Sequence, residues 1–146
     1  MLRYFLLEEL PLKESKYMKL VISEKDGKSY QLEVPKAAEG SLLGRKVGDE
    51  IDGSALGAAG YTLKITGGSD TAGFPMRKDV DGPRKKKLLL GNSPGIRGAV
   101  HGERKKRIVR GRIISDEIMQ INCIVLQAGA KPLPELFPKK EGEKKE

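Results

Sequence analysis

Cysteine and histidine each occur once in this 146-residue chain, as Cys123 and His101, and tryptophan is absent. A single thiol excludes an intrachain disulfide, and one cysteine with one histidine cannot complete a Cys/His metal site. Cys123 also falls in an apolar alternation with Met119, Ile121 and Val125, where a small core residue is its simplest role. With no second thiol or histidine nearby in sequence, nucleophilic or redox use of it is not expected. Such sparing cysteine use suits a reduced, intracellular setting. Long apolar runs are missing too: none approaches the roughly 18 residues of a membrane-spanning helix. The short patch Tyr4–Leu7 is soon followed by acids and Pro11, which does not make a signal peptide. No G-x-x-x-x-G-K-[ST] phosphate loop occurs. Asp70 and Asp79 are the one conceivable acid–base pair, and in exposed loop positions such carboxylates more simply cap turns. We therefore expect no catalytic residues, no metal, no cofactor and no small-molecule substrate.

What the chain has in excess is positive charge, and it is concentrated. Arg84–Arg112 contains Arg84, Lys85, Lys86, Lys87, Arg97, Arg104, Lys105, Lys106, Arg107, Arg110 and Arg112 against one acid, Glu103. The whole chain carries only +8, so the residues outside this stretch are net acidic. Charge gathered in this way between apolar runs is the electrostatic footprint of a nucleic-acid-binding domain. The two cationic clusters flank Gly91–Gly98, whose glycines let backbone N–H groups approach a phosphate closely. Alternation along Arg107–Ile114 places Arg110 and Arg112 on one strand face, about 6.5–7 Å apart, with Val109, Gly111 and Ile113 turned to the core. Arg77 and Lys78 are expected to point outward beside this stretch. The glycines oppose the basic amphipathic helix that membrane-surface binding needs. Only seven aromatic rings are present, and Phe74 alone lies near the cations. Serial base stacking is thus excluded, and contact with the sugar–phosphate backbone of folded RNA or a duplex is expected instead.

Eighteen glycines argue for turns rather than long helices. Lys19–Ser23 and the alternating Tyr30, Leu32 and Val34 read as a hairpin across the Asp26-Gly27 turn. Lys36–Lys46 allows one or two helical turns, since Gly40 and Gly44 each cost about 1 kcal/mol there. Val47–Ile51 reads as a strand end, and Tyr61, Leu63 and Ile65 define a strand that Gly67-Gly68 terminates. Leu88–Leu90 is a buried-strand candidate. Ile108–Ile114 and Ile118–Gln127 read as a hairpin joined by Ser115–Glu117. The fold class expected is mainly β, a small antiparallel β-barrel with short helical turns. The barrel domain spans 18–129, after an N-terminal extension, 1–17. An extended Pro-containing segment and a charged, disordered tail occupy 130–146.

One segment is more specific than these patterns. Ile65–Val80, ITGGSDTAGFPMRKDV, resembles the archaeal and eukaryotic protein six of the small ribosomal subunit, the six-e family. The matching residues are Lys19-Leu20, Ile22-Ser23, Ile65, Gly67-Gly68, Asp70, Gly73-Phe74-Pro75-Met76, Leu88-Leu89-Leu90, Gly102-Glu103-Arg104-Lys105 and Val109-Arg110-Gly111. The resemblance implies a non-enzymatic, cytoplasmic β-barrel protein that binds small-subunit ribosomal RNA beside neighbouring ribosomal proteins and serves translation and subunit assembly. It resembles the short archaeal form, lacking the basic helical extension and serine-rich tail of the eukaryotic proteins. Family members start at the position of Met18, so we expect Met18 to be the initiator. A free-standing basic β-barrel regulator of RNA or duplex DNA is the alternative. On the strand-face reading, Arg110→Glu with Arg112→Glu weakens RNA binding and leaves the fold intact.

Overall fold

In the computed structural model, which describes residues 17–138, the first alternation becomes a hairpin at once. Strands β1 (Met18–Ser23) and β2 (Ser29–Val34) pair antiparallel, matching Met18 with Val34, Leu20 with Leu32 and Ile22 with Tyr30. All six of these side chains are buried, because the pleat sends every second residue to the same face. Gly27, at φ +86°, supplies the left-handed turn residue between them. The short helix α1 (Lys36–Leu42) follows Pro35 and docks Ala38 and Leu42 on the core. Then come β3 (Glu50–Asp52), a 3-10 turn at Gly53–Leu56, and β4 (Thr62–Asp70).

The central strand is β7 (Ile118–Gln127), which pairs parallel with β1 and antiparallel with β4. The result is a five-stranded mixed sheet in the order β2-β1-β7-β4-β3. Its buried face gathers Leu20, Ile22, Leu63, Ile65, Ile121 and Cys123 into the main core. No ladder joins β2 to β3 among the described residues, so the sheet is open where the sequence suggests a closed barrel. The 130–138 segment is also better packed than its prolines suggest. Leu133, in the single-turn helix α2 (Leu133–Leu136), is wholly buried, and the Tyr61 hydroxyl donates to the Lys131 carbonyl at 2.7 Å. The expectations for 1–16 and for the charged tail from 139 lie outside the described residues.

The basic stretch forms a second, separate sheet. Strands β5 (Lys85–Leu90) and β6 (Lys105–Arg110) pair with each other as an antiparallel ribbon, tied to the preceding segment by an isolated bridge between Met76 and Arg110. Its own small core is Val80, Leu90, Ile96 and Val109. The hairpin expected between Ile108–Ile114 and Ile118–Gln127 therefore does not form. β6 stops at Arg110, and Gly111–Ile114 crosses back to the body, where Arg112 and Ile114 N–H groups donate to the Val80 and Arg45 carbonyls. β4 likewise runs through Gly67-Gly68 instead of ending there, with its register shifting at Ile65/Gly67.

Two glycines mark close approaches that make this arrangement possible. A Cβ on Gly111 would strike the Gly82 carbonyl, and one on Gly68 would strike the Gln120 carbonyl. Both obstacles are backbone. Gly111→Ala is expected to lower unfolding stability by about 3 kcal/mol, the upper end for overpacking. Gly67→Ala, with nothing within 4 Å of its added carbon, is expected to change it little. Denaturant midpoints of the two variants provide the check.

Candidate nucleic-acid interface

A two-stranded ribbon has water on both sides except where it is rooted, and that explains its composition. Cross-strand partners share a face, so Lys86 with Val109, Leu88 with Arg107 and Leu90 with Lys105 occupy one side. Val109 and Leu90 bury that face at opposite ends. The other side carries Lys85 with Arg110, Lys87 with Ile108 and Leu89 with Lys106. Arg84, Lys85, Lys86, Lys87, Lys105, Lys106 and Arg107 are all exposed, as are Lys78, Arg97 and Arg104. Among these, the close ion pairs within the described residues are Lys105 with Glu103 at 2.9 Å and Lys85 with Asp70 at 3.5 Å. Lys78, Arg84, Lys86, Lys87, Arg97, Arg104, Lys106 and Arg107 have none there.

The glycine-rich loop between β5 and β6 is held down by one arginine. Arg77 donates through Nε and Nη2 to both Asp79 oxygens, at 2.9 and 2.7 Å. Its Nη1 donates to Ser93 Oγ at 2.9 Å and to the Pro94 carbonyl at 2.6 Å. A planar guanidinium can meet all four acceptors at once, which an ammonium cannot. Gly95 passes over Val109 with φ +106°, and Ile96 plugs the ribbon's small core.

Asp70 is the centre of the junction. It ends β4 fully buried at the side chain, and Oδ1 accepts the Ala72 and Phe74 N–H groups, each at 2.9 Å. Its Oδ2 accepts from Arg110 Nε at 3.1 Å. Burial pushes the Asp70 pKa up, but the Phe74 N–H, the Arg110 guanidinium, the Lys85 ammonium and the Ala72 N–H outweigh it and hold the carboxyl below its ordinary value. Arg110 also donates from Nη1 to the Pro83 carbonyl at 2.7 Å and pairs through Nη2 with Glu117. One residue thus ties β4, β6, the segment before β5 and the turn before β7.

The shared exposed face expected for Arg110 and Arg112 is corrected here. Arg110 is only 4 % exposed, because β6 ends there and its side chain turns inward to the carboxylate. Arg112 lies half-buried on the crossing segment, paired with Asp81 at 2.7 Å. Arg77, expected to point outward, is also half-buried. Asp70, expected as an exposed turn cap, is a cap but a buried one. Its second oxygen takes the Arg110 and Lys85 cations, partners that only the tertiary fold identifies. Asp81, Ser93 and Glu117 carry no comparable signal in the sequence.

No group of three or more His, Cys, Asp or Glu side chains is placed to hold a metal among the described residues. Cys123 is buried and its thiol is pushed up to about 12 by desolvation, far from the thiolate that catalysis uses. The ribbon, loop and junction therefore assemble a cationic surface, with no nucleophile–base pair within it.

The Asp70 junction should be visible in acid. Its depressed pKa contributes stability that is complete above the unfolded value, near 3.8, and is lost as pH falls through the lower folded value. Stability of the wild type should therefore fall more steeply below about pH 4 than that of Asp70→Asn, which is less stable near neutrality. Urea unfolding across that range checks the sign; parallel acid limbs would remove Asp70 from the account.

The family model described as Ribosomal protein S6e matches residues 18–138. Proteins named small ribosomal subunit protein eS6 are similar over most of the chain. That of Methanothermobacter thermautotrophicus is 49% identical over 119 residues, 82% of this chain and 94% of the relative. That of Thermoplasma acidophilum is 47% identical over 118 residues, covering 81% and 94%. That of Methanoculleus marisnigri is 46% identical over 124 residues, covering 84% and 94%. With the match extending from the start of β1 past α2, the chain belongs to the ribosomal protein S6e family.

Proposed function

We propose that this protein is a structural constituent of the small ribosomal subunit, in the cytoplasm, and that the β5–β6 ribbon holds small-subunit ribosomal RNA. The single observation that carries the RNA contact is the separation of the cations into two populations. Lys78, Arg84, Lys85, Lys86, Lys87, Arg97, Arg104, Lys105, Lys106 and Arg107 stand exposed on the ribbon and its flanks. Arg77, Arg110 and Arg112 are spent on internal acceptors. The first group contacts RNA; the second shapes the platform on which the first is mounted. Lysines serve as point charges on phosphates, and the exposed arginines add bidentate grips. Neighbouring ribosomal proteins complete the surroundings, and the role is in subunit assembly and translation without catalysis.

If six to eight phosphates are neutralised, the logarithm of affinity for small-subunit ribosomal RNA should fall against log salt with a slope of about −4 to −7. Replacing Lys86, Lys106 and Arg107 together by alanine should flatten that slope by about 2–3 and leave unfolding stability unchanged. Filter binding across a salt series measures both. A slope unaffected by the triple substitution would move the RNA contact off the ribbon.

A further inference from the structure

Beside the ribbon lies a groove of about 500 Å³, within the size range of clefts that enclose small ligands. Gly73, Phe74 and Pro75 form one wall, Gly95, Ile96 and Arg97 another, and Lys105–Ile108 of β6 the third, with Lys87 at the rim. Phe74, Pro75, Ile96 and Ile108 line it alongside five cationic side chains, and no acid is among the lining residues. That combination suits a ligand with a flat, uncharged part to lie on the apolar side chains and anionic groups to meet the cations.

The backbone of β6 sharpens this. Arg110 N–H donates to the Pro75 carbonyl, and the Arg110 carbonyl accepts from Arg77 N–H, so Arg110 turns both backbone groups away from β5. By strand alternation Ile108 and Lys106 turn theirs the same way. The Pro75–Arg77 segment meets β6 at an isolated bridge between Met76 and Arg110. Beyond that bridge the main-chain donors and acceptors of Ile108 and Lys106 face the groove without a strand opposite. Phe74 is held in place by its N–H bond to Asp70, and Lys85 Nζ, which is not part of the groove lining, lies 5.0 Å from the ring centroid.

We propose that this groove takes one unstacked nucleotide of the RNA, from a bulge or loop. The base lies against Phe74 and Pro75, and its polar edge meets the free main-chain groups of Ile108 and Lys106. The flanking phosphates rest on Lys87, Arg97 and Arg107. This deepens the RNA-holding reading above and rests on it. It also gives the one aromatic ring near the cations a use: splayed bases of folded RNA are read by single stacking rings and edge hydrogen bonds.

The test uses the full chain with intact small-subunit ribosomal RNA carrying 4-thiouridine, and compares wild type, Phe74→Leu and Phe74→Tyr. Photocrosslinks should map an unpaired nucleotide to the Phe74–Pro75 or Lys106–Ile108 peptide. Phe74→Leu should weaken binding roughly tenfold, as loss of one base–aromatic stack does, with the salt slope unchanged because no charge is lost. Phe74→Tyr should bind like wild type. The proposal is overturned if both variants bind alike, if groove crosslinks go only to paired nucleotides, or if in assembled subunits the groove crosslinks to a peptide strand instead. Failure of the wild type to bind the RNA at all would instead sink the underlying reading, a separable result.

Discussion

Arg110 sits out of water with its guanidinium against the buried carboxylate of Asp70, and most of the architecture around the basic stretch follows from that contact. Removing two charges from water is expensive, and a buried pair is often no more stabilising than apolar residues of the same volume. What it does well is discriminate. With Oδ1 capping the turn to Phe74 and Oδ2 on Arg110, the carboxylate accepts only one register of β6 against the end of β4. A ribbon slipped by one residue would present Val109 to Asp70 and leave both the carboxylate and the guanidinium unmatched.

That constraint matters because the ribbon has little else to hold it. Its core consists of Val80, Leu90, Ile96 and Val109, whereas the five-stranded sheet buries some twenty residues in one cluster. A two-stranded ribbon is marginal alone, and this one carries lysines on both faces that repel one another. The body anchors it at three places. Asp70 takes Arg110, the Gly111 backbone passes hard against Gly82, and Arg77 clamps the loop at Ser93 and Pro94. With its base fixed, the ribbon can expose cations densely, because their mutual repulsion has no easy way to unzip the strands. In the proposed complex RNA would relieve that repulsion, so the same charges that strain the free protein would favour binding.

Much of this is legible in the order of the residues. The β1–β2 hairpin, the short helix after Pro35 and the buried Cys123 follow from period-two alternation, turn chemistry and thiol scarcity, all local signals. The concentration of charge points to RNA, and the Gly-Phe-Pro-Met and Gly-Glu-Arg-Lys blocks point to the family. Two kinds of information are not local. Strand pairing is one: Ile118–Gln127 follows Ile108–Ile114 so closely that a hairpin looks natural, yet β7 inserts between β1 and β4. The choice lies in Gly111 and in the carbonyls that accept from Arg112 and Ile114, which no periodicity reports. The other is the fate of each arginine. Arg107 and Arg110 look alike in sequence, and only the position of Asp70, forty residues away, makes one a surface charge and the other an internal strut.

The central claim is that Arg110 serves RNA without touching it. Arg110→Met, compared with Lys86→Met at an exposed position, tests it most directly when RNA affinity and amide hydrogen exchange are measured on the same proteins. The account predicts that Arg110→Met loses more affinity than Lys86→Met, with exchange protection falling in β5 and β6 while β1, β4 and β7 keep theirs. An Arg110→Met protein with full ribbon protection would contradict it, whether its RNA affinity fell or not.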